Sequence, residues 1–316
     1  MTKSKIFNTF AVALAIAFAG CERNENELEF IENPVLPIEV RIELGDEIND
    51  PYAIHNIELA QASLRSAGID VPPIQANRKY IRFLPKDEYE LDLLTQDSTL
   101  ILFEFPLHYE IAVDGVYYRD PTLPADAITW QYTVVPLDKE LPDLEYELLY
   151  KVFIPDLDSE ESISTRSSTG AACFYEMLLR ESYKLTGNAG ESDNNQISTR
   201  IFNRWHASGQ ITMWDNNLHR RIPVHGVTVV ARSSTRVEED VTDSDGRFHA
   251  GRFIYDVTYS IRWERHQFAI RAGTINQAVH IGPRGRNQWN LYLDASHPLQ
   301  IYYAVIHRAV VAVKHN

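Results

Sequence analysis

The sequence predicts a multidomain chain: an α+β N-terminal domain, a transthyretin-like β-sandwich and a C-terminal helix. Three observations carry this. Helical and strand periodicities alternate between Pro34 and Pro155, short alternating strands separated by turn clusters follow to Asp294, and helical spacing returns after Ser296. Charge is divided along similar lines. Residues 1–195 hold 15 basic and 35 acidic side chains, net −20, whereas 196–316 hold 15 and 9, net +6; the two sum to the −14 of the chain. Such asymmetry suggests modules attracted to one another or to different partners. The arginines of the basic half are scattered along strands, so nucleic acid is not an expected partner.

Residues 1–20 read as a secretory signal. Lys3 and Lys5 form a basic start, the run Phe10–Phe18 is almost wholly apolar, and Ala19 and Gly20 precede Cys21. The apolar run falls short of the roughly 20 residues that a permanent span needs. "FAGC" resembles the lipobox of bacterial lipoproteins, with Phe18 where leucine is usual. That resemblance implies lipidation of Cys21, and each buried methylene of the lipid contributes about 0.8 kcal/mol of anchoring. The only other cysteine is Cys173, so a lipidated Cys21 leaves no intrachain disulfide. Residues 21–33, opening "CERNENELEF", are polar and acidic. They resemble the tethers that route lipoproteins to the outer face of the outer membrane in Bacteroidota. The implied partner is the membrane, reached through the lipidated N-terminus, with the protein exposed at the cell surface.

Residues 34–155 are read element by element. "PIEVRIEL" alternates as a strand. Asp50 reads as a helix cap, Pro51 as its first turn, Ile54, Ile57 and Leu64 as its apolar side, and Gly68 as its stop. "KYIRFLP" is a strand, "KDEYELDLLTQ" a short helix, "STLILFEF" a strand and "ITWQYTVVP" another. The order allows a βαβ-like unit or antiparallel packing. Asp87, Glu88, Glu90 and Asp92 suit the exposed, N-terminal face of the short helix better than paired catalytic carboxylates. His55 and His108 have no acid/base pattern beside them and read as surface or structural residues.

Residues 156–206 read as linker interrupted by one helix. "PDLDSEESISTRSSTG" and "GNAGESDNNQISTR" carry few core-forming residues, and "AACFYEMLLRESYKLTGN" lies between them as a helix stopping at Gly187 or Asn188. Cys173 falls on its apolar side, without a basic partner that would make it reactive.

Residues 207–294 carry the strongest architectural signal. Gln210–Trp214, Val227–Ala231, Tyr255–Trp263 and Phe268–Arg271 alternate as strands between turn clusters. Gly209-Gln210-Ile211, Pro223–Ala231, Thr242–Phe248 and Tyr259–Phe268 resemble, in order, the motifs of carboxypeptidase regulatory-like, transthyretin-like sandwiches. The resemblance implies the fold and little about activity. Asp243 and Asp245 of "TDSDG" lack the further ligands of a calcium loop and fit a tight turn with Gly246 at positive φ. Trp214, Trp263, Arg262 and Arg265 read as half-buried strand aromatics with exposed arginines, the alternative being a binding face that takes a protein or glycan ligand.

No catalytic or metal site emerges, and no cofactor is expected. "HExxH", "GxSxG" and the P-loop are absent. His307 and His315 lie roughly 80° apart around a helix, and His219 and His225 flank a proline-containing turn. Residues 295–316 form a helix with Ser296 as cap, Pro298 in the first turn, and Leu299, Tyr302, Tyr303, Ile306, Val310 and Val313 at apolar spacing. It reads as the first helix of a missing domain, or as a terminal helix folded back on the sandwich. The module order resembles the N-terminal part of uncharacterised Bacteroidota surface lipoproteins, whose longer relatives are expected to continue into a zincin-like metallopeptidase. The expected function is a non-catalytic binding or scaffold module of the cell envelope. The alternative is a truncated zinc metallopeptidase precursor lacking its catalytic domain.

Overall fold

The computed structural model describes residues 40–157, 166–189, 204–265, 268–273 and 275–314, the side chains of 166–173 and Lys314 excepted. The signal, Cys21 and the whole tether, and His315, lie outside them. The described chain is β-rich, with four helices and several antiparallel sheets. No described helix is long and apolar enough to cross a membrane.

In the N-terminal half, β1 (Glu43–Glu47) pairs antiparallel with β3 (Tyr109–Val113). Helix α1 (Ile54–Ser66) buries Ile57, Ala60 and Leu64, and Gly68 at φ +81° turns the chain out after it. Its N-cap is Ala53 rather than the expected Asp50, whose carboxylate turns away from the helix into the protein interior. Strand β2 (Arg78–Phe83) lies between β4 (Gln131–Pro136) and β5 (Tyr146–Val152), antiparallel to both. Helix α2 (Glu88–Gln96) follows its expected signals. Asp87 Oδ1 accepts from Glu90 N–H at 2.9 Å and Glu90 Oε2 accepts from Lys86 N–H at 2.8 Å.

The expected strand "STLILFEF" is not one. Only Phe103 makes a bridge, to Tyr132, although Leu100, Leu102, Phe103, Phe105 and Leu107 are all buried. A buried non-strand segment must place its carbonyls elsewhere. Two of them, Leu102 O and Leu107 O, accept from Arg262 and Arg232 of the C-terminal half at 3.1 and 2.5 Å.

Helix α3 (Arg166–Leu185) lies within the region expected to link the halves, and it packs on α1. Phe174, Leu178, Leu179 and Tyr183 enter the N-terminal core. Cys173 is on this helix, with its side chain outside the described residues.

The C-terminal half is sandwich-like. One sheet runs in the order β10 (Arg247–Phe253), β6 (Trp205–Asp215), β15 (Trp289–Leu293), with β7 (Arg220–Pro223) also on β6. The other runs β14 (Val279–Gly285), β11 (Val257–Arg262), β8 (Thr228–Ser233), β9 (Arg236–Val241), and the short β12 (Arg271–Ala272) and β13 (Asn276–Gln277) pair with each other. Ile211, Phe248 and Leu291 from the first share a core with Val229, Ala231, Tyr259 and Ile261 from the second. The parallel pairing of β15 with β6 requires Gly209, because a Cβ there would sit 1.9 Å from Trp289 O.

Strand alternation decides how the halves join. Along β8, Val229 and Ala231 face the sandwich interior, while Val230 lies in the core of the N-terminal half with Ile57, Tyr80, Phe105 and Tyr183. Strand β8 is therefore buried on both faces. The described residues, from Val40 onward, gather into one compact unit.

Helix α4 (Pro298–Lys314) folds back on the sandwich, as one of the two expectations had it. Leu299, Tyr303, Ala304, His307 and Val311 are buried, and Arg308 Nη1 meets Asp215 Oδ2 of β6 at 2.5 Å. Tyr302 and Val313 face outward instead, 44% and 78% exposed. Ser296 does not cap the helix; its hydroxyl donates to Asp294 Oδ1 at 2.5 Å.

Candidate functional site

Buried charged side chains, Asp50 and Arg236, are held by neutral polar groups where the halves meet. Asp50, only 4% exposed, receives Thr235 Oγ1–H at 2.7 Å, Tyr150 Oη–H at 3.1 Å and Tyr52 N–H at 3.0 Å. Burial pushes its pKa up, and the hydrogen bonds from Thr235 and Tyr52 oppose that shift. Arg236, also buried, donates to Pro155 O at 2.8 Å and Arg252 O at 3.0 Å. Ser182 Oγ–H donates to Pro51 O at 2.6 Å, and Tyr183 Oη pairs with Ser233 Oγ at 2.8 Å. The tight hairpin between β8 and β9, with Ser234 at φ +51°, thus sits between the N-terminus of α1 and the end of α3.

Beside this joint opens a cleft of about 290 Å³, near the lower end of small-ligand pockets at roughly 300 Å³. Three arginines, Arg232, Arg284 and Arg286, and three carboxylates, Glu110, Asp114 and Asp256, line it. Apolar lining comes from Ile48, Ile281 and Pro283, together with Tyr183 stacked on Tyr255 at 3.7 Å between ring centroids and 7° between planes. Arg284 Nη1 meets Glu110 Oε1 at 3.2 Å, and Arg286 Nε meets Asp256 Oδ1 at 2.9 Å. The arrangement offers both charges and an aromatic wall, which suits binding and orientation. Among the described residues, no group of three His, Cys, Asp or Glu converges to hold a metal.

A second cleft, of about 340 Å³, lies where α2 approaches β8 and β11, with Arg262, Glu264, Arg265 and Arg271 among its lining. Near it Glu104 is buried and accepts from Asn276 Nδ2–H at 3.1 Å. Burial raises its pKa to about 7, helped by Glu264 and opposed by Gln277 N–H, Asn276 and Arg271. The folded state therefore holds this proton more tightly than the unfolded chain. The favourable contribution is complete below the unfolded value and is lost as pH rises through about 7. Glu104→Gln should consequently stabilise the protein at pH 8 by about 2 kcal/mol and flatten its stability between pH 5 and 8. Urea unfolding at several pH values measures this, and an unchanged pH slope would sink it.

Trp214, Trp263, Arg262 and Arg265 do not assemble into a binding face. Trp263 is fully buried beneath α4, its Nε1–H donating to Gln300 Oε1 at 2.7 Å. Arg262 reaches Leu102 O of the N-terminal half and pairs with Glu239 on β9 of its own sheet, and Arg265 lines the second cleft. Trp214 alone of the four sits on an open sheet face, 37% exposed. "TDSDG" is a turn as expected: Asp243 Oδ1 accepts from Asp245 N–H and Arg247 N–H at 2.9 and 2.8 Å, and Gly246 has φ +74°.

The histidines and carboxylates separate in the same way. His307 is buried with Nδ1 at 3.1 Å from Trp263 O, while His219 and His225 are exposed. His108 Nδ1 lies 3.1 Å from Tyr80 Oη, and His55 is exposed on α1. Asp87, Glu88 and Asp92 are exposed on and beside α2, and Glu90 is half-buried.

Sequence reasoning missed Asp50, Glu104, Tyr183 and Arg232 as site residues. For Arg232 a signal existed: alternation in "VTVVARSS" places it on the same face as Val230.

No family model matches the chain, and no curated protein does. The solved structure of (S)-allantoin synthase is similar at 11% identity and a TM-score of 0.19, over 42% of this chain and 53% of that one. The matched region thus spans about half of that protein, and a likeness this low carries no argument.

Proposed function

We propose that the protein is a lipid-anchored component of the outer membrane, exposed at the cell surface, acting as a non-catalytic binding or scaffold module. The observation that carries the binding reading is the cleft between the halves, where charged groups of both signs and stacked tyrosines converge. The anchor rests on "FAGC" and the signal-like residues before it. The sandwich is read as transthyretin-like on the order of its motifs, with "PVHGVTVVA" leading into β8 and "TDSDG" turning into β10.

Cys21→Ser should move the protein from the membrane fraction to the soluble fraction and abolish incorporation of labelled palmitate. Unchanged partitioning would remove the anchor. Protease added to intact cells should digest the wild-type chain, and full protection would argue against surface exposure.

A glycan ligand on the sandwich is a second reading, favoured by one observation. On the outer face of the first sheet, Trp214, Tyr292, Gln210 and Asn290 occupy neighbouring register positions, with Arg221 4.8 Å over the Tyr292 ring. Aromatic rings flanked by amides suit sugar faces and hydroxyls. A glycan array showing no binding that depends on Trp214 would discard this reading.

A further inference from the structure

Among the three arginines of the cleft between the halves, Arg284 and Arg286 each have a carboxylate in ion-pair contact. Arg232 has none among the described residues. It is 7% exposed, its guanidinium donates to Leu107 O at 2.5 Å, and its face lies 5.7 Å from the Phe105 ring centroid. A carbonyl and a ring satisfy part of a five-donor fork and neutralise none of its charge. Burial accordingly depresses its pKa to about 10, with nearby Arg284 adding to the effect and Tyr80 and Asp50 opposing it.

An uncompensated guanidinium is costly to bury, and core positions that need only volume are filled more stably by apolar side chains. The strand pattern would accommodate such a residue, since Val230 occupies the same face one repeat earlier. Arg232 also lines the cleft, so a ligand entering there can reach it.

We propose that Arg232 is the anchor for a carboxylate ligand in this cleft, a proposal that deepens the binding-module reading and rests on it. The planar fork matches a carboxylate through two parallel N–H···O bonds. The lining argues for a monoanion over a dianion. Glu110, Asp114 and Asp256 share the cleft and would repel the second charge of a phosphate, while the Tyr183–Tyr255 pair, Ile281 and Pro283 offer an apolar wall for the body of an organic acid.

The test uses the full mature chain in detergent and benzoate as probe, with inorganic phosphate and neutral benzamide as comparators, read by calorimetric titration and thermal unfolding. Benzoate should bind and raise the midpoint, phosphate and benzamide should bind at least ten-fold more weakly, and Arg232→Met should lose benzoate binding by at least ten-fold. Without ligand, Arg232→Met should unfold cooperatively within a few degrees of wild type, because removing an unpaired buried charge offsets the loss of the donor to Leu107 O. A strong fall in that midpoint would make the guanidinium structural and overturn the proposal. Should Arg232→Met not fold, Arg232→Lys decides: it keeps the charge without the fork, and unchanged benzoate affinity overturns the proposal. Phosphate binding tighter than benzoate, or no benzoate binding by the wild-type chain, also overturns it. None of these results touches the anchor or glycan readings, which are tested by fractionation and by Trp214.

Discussion

Asp50→Ala is expected to lower the free energy of unfolding by about 4 kcal/mol, roughly the cost of leaving three buried donors without their acceptor. The carboxylate is the meeting point of three elements that are distant in sequence. Tyr52 N–H reaches it from the start of α1, Tyr150 Oη–H from β5, and Thr235 Oγ1–H from the hairpin after β8. Alanine would leave two hydroxyls and an amide without their acceptor. Burial already holds the carboxyl pKa above its ordinary value, so mild acid should not open the joint: a group with a raised folded pKa gains, and does not lose, stability as pH falls. Asp50→Asn, which keeps an acceptor oxygen, should recover part of the loss. Equilibrium unfolding in urea measures both variants. A loss below about 1 kcal/mol for alanine would mean that the apolar contacts around the joint suffice.

Trp263→Ala should cost a similar amount, about 4 kcal/mol, by a different route. The indole is fully buried, belongs to the sandwich core, and donates to Gln300 Oε1 of α4 at 2.7 Å. His307 of the same helix lies against it, with ring centroids 6.2 Å apart and Nδ1 3.1 Å from its carbonyl oxygen. Truncation leaves a large cavity beneath α4 together with an orphaned Gln300 oxygen. The helix should therefore loosen before the sheets do. Hydrogen exchange resolves this order: amides of α4 should lose protection while those of β6 and β11 retain theirs. Equal loss in all three would show the helix and sandwich to be one cooperative unit.

The chemistry of turns and caps was legible in the sequence because it is local. The "TDSDG" turn needs only Asp243 accepting neighbouring amides and Gly246 at positive φ, and both follow from residue type. The acidic face of α2 is likewise a matter of spacing and capping. Arg232 and Asp50 are different. Each is a charged residue whose meaning depends on what covers it, and the cover comes from chain more than 80 residues distant, Leu107 for the one and Tyr150 for the other.

The sequence by itself determined the β-rich architecture of the second half, the helices α1, α2 and α4, and the chemistry of the turns. Period, capping residue and glycine act within a few positions of the chain. Tertiary structure alone decided that "LILFEF" would stay out of a sheet, that Trp263 would go inside, and that the outer face of β8 would be covered. Whether a strand face meets solvent or another layer is set by long-range packing, and alternation along the strand reads the same in either case.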